Sequence, residues 1–292
     1  LLMEAGGLVS VEEAERRVLV LENPMFAGQS RITTSLYAGM QLVLPGERAR
    51  SHRHTQSALR FVLEGTGAYT AVGGERTPMY PGDFIITPSW EWHDHGNDTP
   101  DPVIWLDGLD IPLVQALDAS FMEHLGAVEQ PVTRPVGDSF ARYGSNLLPV
   151  DHRSSGLTSP VFSYPYARTR EALETLRRNG EPDPYHGYKM RFVNPVTGGF
   201  AMPTIATFMQ LLPRGLTTQP YRSTDATVFT PVEGEGRTHI GGTVIEWSAR
   251  DVFIAPGWAT VRHDASSDAV LFSFSDRPVQ QATGLFREER LA

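Results

Sequence analysis

Apolar and polar residues alternate along much of the chain in short runs bounded by Gly and Pro, a pattern that predicts strands more often than helices. Residues 36–44 read as a strand ending at Pro45-Gly46. Residues 59–63, 69–72 and 103–106 read likewise, with Gly65, Gly67 and Gly73-Gly74 as turns. Near the start, 10–17 predicts a short helix, and 18–21 a strand broken off by Pro24. Two further stretches carry helical spacing. One is 113–126, apolar at Leu113, Ala116, Leu117, Phe121 and Leu125; the other is 167–178, with Gly180 as its stop. Between them, 127–165 is rich in Pro, Gly and Ser and reads as loops.

The pattern then recurs. Pro81-Gly82-Asp83-Phe84-Ile85-Ile86-Thr87-Pro88-Ser89-Trp90 aligns with Ala249-Arg250-Asp251-Val252-Phe253-Ile254-Ala255-Pro256-Gly257-Trp258. Met40-Gln41 is echoed by Met209-Gln210, and Gly73-Gly74 by Gly241-Gly242. Two copies of one β unit joined by a helical linker account for this most economically.

Composition narrows the field. The 292 residues include 27 Gly and 22 Pro, which suits a turn-rich, mainly β fold. A net charge of −9 without a basic block makes nucleic acid and anionic membrane surfaces poor partners. With no cysteine there are no disulfides, thiolate metal sites or Cys nucleophiles, which fits a cytoplasmic protein. No apolar run approaches the ~18 to 20 residues of a membrane helix, and the N-terminus carries no charged-then-apolar signal sequence. The chain opens Leu1-Leu2 rather than with Met, so residues upstream are expected to be missing.

Four of the nine histidines fall in two clusters, His52-Arg53-His54 and His93-Asp94-His95. In a strand, alternate side chains share a face, so each cluster points two imidazoles one way. His52, His54 and His93 converging inside a small barrel would hold a divalent metal with positions left open. A set of packed core histidines is the plain alternative. The repeat argues against it, because the second copy has Tyr221, Ser223 and Val261 at these positions. His263 remains opposite His95, and alone is expected to be a surface or core histidine.

Gly46 stands five residues before His52-Arg53-His54, and Gly82 five residues before Pro88, with His93 and Asn97 following. These spacings resemble the two motifs of the cupin superfamily. Two positions depart: the expected Glu is replaced by Ala58 or Leu59, and Trp90 stands for a Gly. With these departures included, 52–61 and 88–97 resemble the gentisate 1,2-dioxygenase group, with its salicylate and 1-hydroxy-2-naphthoate dioxygenases. The resemblance implies a mainly β bicupin, two jelly-roll β-barrels joined by a helical linker. Residues 1–34 would form an N-terminal segment, 35–112 a metal-binding cupin, 113–200 the linker, and 201–292 a cupin that has lost its ligands. It further implies Fe(II), a small aromatic hydroxycarboxylate and O2 as partners, ring cleavage, and a homotetramer.

Without the Glu, three neutral ligands leave the ion its full charge, which favours a substrate chelating through carboxylate and ortho hydroxyl. Arg60, six residues past His54, offers a planar fork for that carboxylate; a salt bridge to a neighbouring acid is the alternative. His95 is a candidate for a hydrogen bond to substrate or for proton transfer, or is structural. Asp107 could orient His95 or Arg60, or accept from a second ring hydroxyl. Gln41 and Tyr37 are candidate pocket residues. Arg16 is a candidate anion clamp by resemblance, and a solvated face otherwise. Trp90 and Trp92 are expected in the core and pocket wall. Imidazoles alone do not choose the metal, so a non-oxidative cupin metalloenzyme or a small-molecule-binding cupin stands as the rival class.

Overall fold

The computed structural model describes residues 2–8, 17–153 and 156–292. The helix expected over 10–17, and Arg16 with it, therefore lies outside the described residues apart from Arg17, which is not helical. The chain divides into two units, Leu1–Tyr166 with Asn194–Met202 and Ala167–Val193 with Pro203–Ala292.

The first unit contains β1 (Val18–Val20), β2 (Tyr37–Val43), β3 (Arg48–His54), β4 (Ala58–Glu64), β5 (Tyr69–Val72), β6 (Glu75–Pro78), β7 (Phe84–Thr87), β8 (His93–Gly96), β9 (Val103–Leu109), β10 (Met122–His124) and β11 (Ser163–Tyr164). They form two antiparallel sheets, β1-β2-β9-β4-β7-β11 and β10-β3-β8-β5-β6. Apart from the directly paired β1-β2 and β5-β6, consecutive strands alternate between sheets, the jelly-roll arrangement.

The second unit contains β12 (Tyr188–Arg191), β13 (Ala206–Leu212), β14 (Tyr221–Ser223), β15 (Thr227–Glu233), β16 (Glu235–Ile240), β17 (Thr243–Ser248), β18 (Phe253–Ala255), β19 (Val261–Ala265), β20 (Ala269–Ser275) and β21 (Glu288–Arg290). Their order, β12-β13-β20-β15-β18 and β17-β16-β19-β14-β21, repeats that of the first unit except that the edge strand β11 has no counterpart.

Alternation decides what each barrel encloses. In the first, Val43, Val62, Ile85, Val103 and Trp105 pack with Ala68 and Met79. Residues opposite one another in register share a face, and the register pairs Arg60 with Asp107 and Ile85, and Gln41 with Trp105. Each strand therefore enters the interior apolar and becomes polar two residues on: Val62 then Arg60, Ile85 then Thr87, Trp105 then Asp107. Burying each large apolar side chain stabilises by roughly 1.5–3 kcal/mol, which sets against the cost of enclosing the polar half.

One expected helix is corrected. The helix Ile111–Ala116 ends well before 126. Asp118 takes a φ of 56°, and Thr55 then holds the chain, its Oγ1 donating to Ala119 O at 2.7 Å and accepting from Phe121 N at 3.1 Å. Met122–His124 adds to β3 as an edge strand, pairing Met122 with His54 and His124 with His52. Ladder hydrogen bonds to β3 override a spacing that fits a helix locally.

The motif glycines and asparagine tie the strands together. Gly46, at φ 79°, donates to Asn97 O at 2.8 Å, and Asn97 Nδ2 donates to Val43 O at 3.0 Å. Trp90, where the cupin motif has Gly, sits at φ 63° in the left-handed region that glycine enters without cost. Its N–H donates to His54 O at 2.8 Å. Trp258 repeats both features, with φ 65° and a 2.6 Å bond to Ser223 O. Trp90 is not core: it is 37% exposed, and Arg53 lies 4.6 Å from the rings of both Trp90 and Trp92.

Candidate metal centre

His52 and His54 on β3 and His93 on β8 are all buried, and their candidate ligand atoms lie within 4.8 Å of one another. Their ring centroids are 4.2 Å (His52–His93), 4.7 Å (His54–His93) and 5.6 Å (His52–His54) apart. Each Nδ1 meets a backbone carbonyl: Arg50 O at 2.8 Å, Gln56 O at 2.9 Å and Glu91 O at 2.9 Å respectively. A carbonyl only accepts, so each ring carries its proton on Nδ1 and presents a lone pair from Nε2. Carbonyl-anchored imidazoles of this kind are how metal-ligating histidines are oriented. The donor set fits a divalent transition metal, and the residue at the lost Glu position, Ala58, offers it nothing.

Next to the triad is a buried hydrogen-bonded chain. His95 lies 5.8 Å from His93, centroid to centroid. Arg60, only 2% exposed, donates from NH2 to His95 Nε2 at 2.9 Å and from NH1 to Thr87 Oγ1 at 2.5 Å. A guanidinium cannot accept, so His95 is protonated on Nδ1, which donates to Thr70 Oγ1 at 3.0 Å. Arg60 Nε lies 3.6 Å from Asp107 Oδ1, which also accepts from Trp105 Nε1 at 3.0 Å. The structure thus brings Arg60, His95 and Asp107 together, and both readings of Arg60 meet here, a buried acid pair inside a site suited to an anion.

Gln41 is buried on β2, one register step from this group. Tyr37, half-buried on the same face, folds over Gly39, where a Cβ would approach its hydroxyl to 2.6 Å. Gly39 pairs with Asp107, so the Tyr37 hydroxyl lies over the polar half of the barrel. Asp94, between the histidines, faces away and accepts from Gln130 N at 2.8 Å, and burial raises its carboxyl above the usual range. Sequence reading missed Thr70 and Thr87, whose only signal was a polar residue in an apolar strand. It also missed His124, whose ring lies 6.4 Å from His52 across β10 and β3.

The described residues contain no helix long and apolar enough to cross a membrane. Fold and site together define a bicupin whose first barrel holds three inward-facing histidines, and a cupin domain model matches residues 39–109. The chain is 61% identical over 289 residues to gentisate 1,2 dioxygenase 1 of Aquipseudomonas alcaligenes, covering 99% of this chain and 83% of that protein. It is 37% identical to 5-aminosalicylate 1,2-dioxygenase of Comamonas sp, covering 100% of this chain and 79% of that one. A crystal structure of salicylate 1,2-dioxygenase from Pseudoaminobacter salicylatoxidans with gentisate superposes with a TM-score of 0.91 at 35% identity, covering 99% of this chain and 81% of that one. This chain belongs to the gentisate 1,2-dioxygenase family.

Proposed function

We propose that the protein is an Fe(II)-dependent dioxygenase that opens the ring of gentisate between its carboxyl- and hydroxyl-bearing carbons to give maleylpyruvate. Both atoms of O2 enter the product. The observation that carries this is three convergent Nε2 lone pairs beside a buried guanidinium. Identity of 61% to a gentisate dioxygenase, against 37% to an aminosalicylate dioxygenase, favours gentisate as substrate.

His52, His54 and His93 hold the metal, their Nδ1–H groups fixed on carbonyls so that no ring turns away. Iron(II), when bound, supplies positive charge for the substrate's carboxylate and ortho hydroxyl and a redox path between ring and O2. Arg60 receives the carboxylate. Its planar fork, enclosed at 2% exposure beside Asp107 in the polar half of the barrel, suits two-point recognition of a carboxylate. His95 and Asp107 position Arg60 and through it the substrate, while Gln41 and the Tyr37 hydroxyl line the pocket. The apolar half around Trp105 and Val62 keeps water from the ring. By family resemblance, Arg16 is an anion clamp and the enzyme a homotetramer; a composition without cysteine fits a cytoplasmic protein.

Salicylate, a substituted salicylate or 1-hydroxy-2-naphthoate is the second reading, supported by the gentisate complex of a salicylate dioxygenase with the same fold. Oxygen uptake by anaerobically iron-loaded protein, with the ring-opened product followed by ultraviolet absorbance, separates them. Uptake with gentisate alone is expected. Uptake with salicylate too widens the substrate class, whereas none with any substrate despite bound iron returns the function to non-oxidative cupin chemistry.

A further inference from the structure

The second unit encloses a cavity of about 30 Å³ where the first has its histidine triad. Tyr221 pairs with Val261 as His52 pairs with His93, and Tyr221, Ser223 and Val261 all line the space. Lys189, Arg277, His186 and His263 line it as well. Here charges are unevenly matched. Arg277 is answered by Asp225, with Nε to Oδ2 at 3.0 Å and NH2 to Oδ1 at 3.3 Å. Asp225 is also bound by Ser275 Oγ at 2.6 Å. Lys189 has no such partner among the described residues: its Nζ lies 4.8 Å from the centre of the Phe208 ring, with Arg277 and Asp225 as its charged neighbours.

The histidines and the tyrosine of the lining carry no negative charge themselves, and the acids that act on them, Asp183, Asp264 and Glu288, stand outside the lining. Burial, and then the Lys189 ammonium, push His186 and His263 down to about 3, so both are neutral at neutral pH. Burial pushes the Tyr221 hydroxyl up to about 12, and it donates to Glu288 Oε2 at 2.6 Å. With Asp225 set against Arg277, the Lys189 charge is left over. A partly buried cation that lines such a space without a carboxylate of its own either gives up its proton or takes an anion. Burial and Arg277 do lower Lys189, to about 8, which still leaves it charged at pH 7.

We propose that this cavity binds one small monovalent anion, of halide or formate size, between the Lys189 ammonium and the Arg277 guanidinium. The second barrel then places a cationic lining and an anionic guest at the position where the first has neutral imidazoles suited to a metal cation. Its volume admits a water or a small ion and excludes an aromatic carboxylate, so it is not a second substrate site. The proposal does not depend on the ring-cleavage reading.

Crystals of the full iron-loaded chain soaked in sodium bromide should show an anomalous peak in contact with Lys189 Nζ, absent in Lys189→Met. In solution, sodium formate should raise the thermal midpoint of the wild type saturably, as binding to the native state must. That rise should be kept in Lys189→Arg and lost in Lys189→Met. Val261→Phe, which fills the cavity with the charges intact, should lose it too, and serves if Lys189→Met does not fold. An empty cavity in bromide, bromide in the crystal without a formate response in solution, or an equal response in Lys189→Met and Val261→Phe overturns the site.

Discussion

In the first unit, His52 faces His93 across β3 and β8; in the second, Tyr221 faces Val261 across β14 and β19. Arg60 faces Asp107 in one, and Phe229 faces Ser273 in the other. His95 and His263 both survive and both meet a threonine, Thr70 at 3.0 Å and Thr238 at 2.8 Å. Around that common pair the contents differ: His95 accepts from a guanidinium, while His263 packs edge-on against Phe229 at 5.4 Å. The strand order, the left-handed tryptophans and the His–Thr pair therefore belong to the scaffold. The triad and Arg60 with Asp107 are what the first barrel adds to it.

This division can be broken most severely at the triad. His52→Ala or His93→Ala should abolish both metal retention and oxygen uptake, whereas Val261→Ala, at the position equivalent to His93, should leave both unchanged; metal analysis with turnover reads this, and full activity in His93→Ala defeats the assignment. Next in size, Phe229→Arg should destabilise the second barrel by about 3–5 kcal/mol, since it buries a cation opposite Ser273 instead of an aspartate. Adding Ser273→Asp should restore part of that loss in denaturant melts, and no restoration would mean that Asp107 does not accommodate Arg60 in the way described.

Arg60→Ala should raise the apparent substrate constant roughly tenfold to a hundredfold, the worth of about 1.5–3 kcal/mol for hydrogen bonds to a charged group, with iron content normal. Loss of the iron instead would make Arg60 structural. The smallest effect concerns Asp83 and its counterpart Asp251, which accept from the backbone N–H of Tyr80 and Ser248 respectively. Asp251 is exposed, whereas burial pushes the Asp83 carboxyl up to about 6 despite the N–H groups of Tyr166 and Tyr80. Between about pH 4 and pH 6 the folded state binds the Asp83 proton more tightly than the unfolded state does, so this contribution to stability is lost as pH rises through that window. Relative to Asp83→Asn, the wild type should lose about 1–3 kcal/mol from pH 4 to 6. A matching difference between wild type and Asp251→Asn would show that burial is not the cause.

Much of this was legible in the chain itself, for a local reason. A strand fixes side-chain direction with a period of two, so His52 and His54 had to share a face wherever β3 lay. A duplicated pattern likewise betrays a duplicated unit, and Tyr221, Ser223 and Val261 show that only one copy kept its ligands. What local pattern could not supply is register between strands distant in sequence. Arg60 meets Thr87, His95 and Asp107 only because β4 lies between β7 and β9 and opposite β8. Residues 113–126 fitted a helix until an edge of β3 offered Met122–His124 its ladder bonds. The Lys189 and Arg277 cavity gave no motif at all, because its charges come from β12 and a helix 88 positions apart in number, and only folding sets them around one space. Sequence determined which side chains the strands could present; tertiary structure decided which of them meet, since hydrogen-bond register between strands is a long-range property.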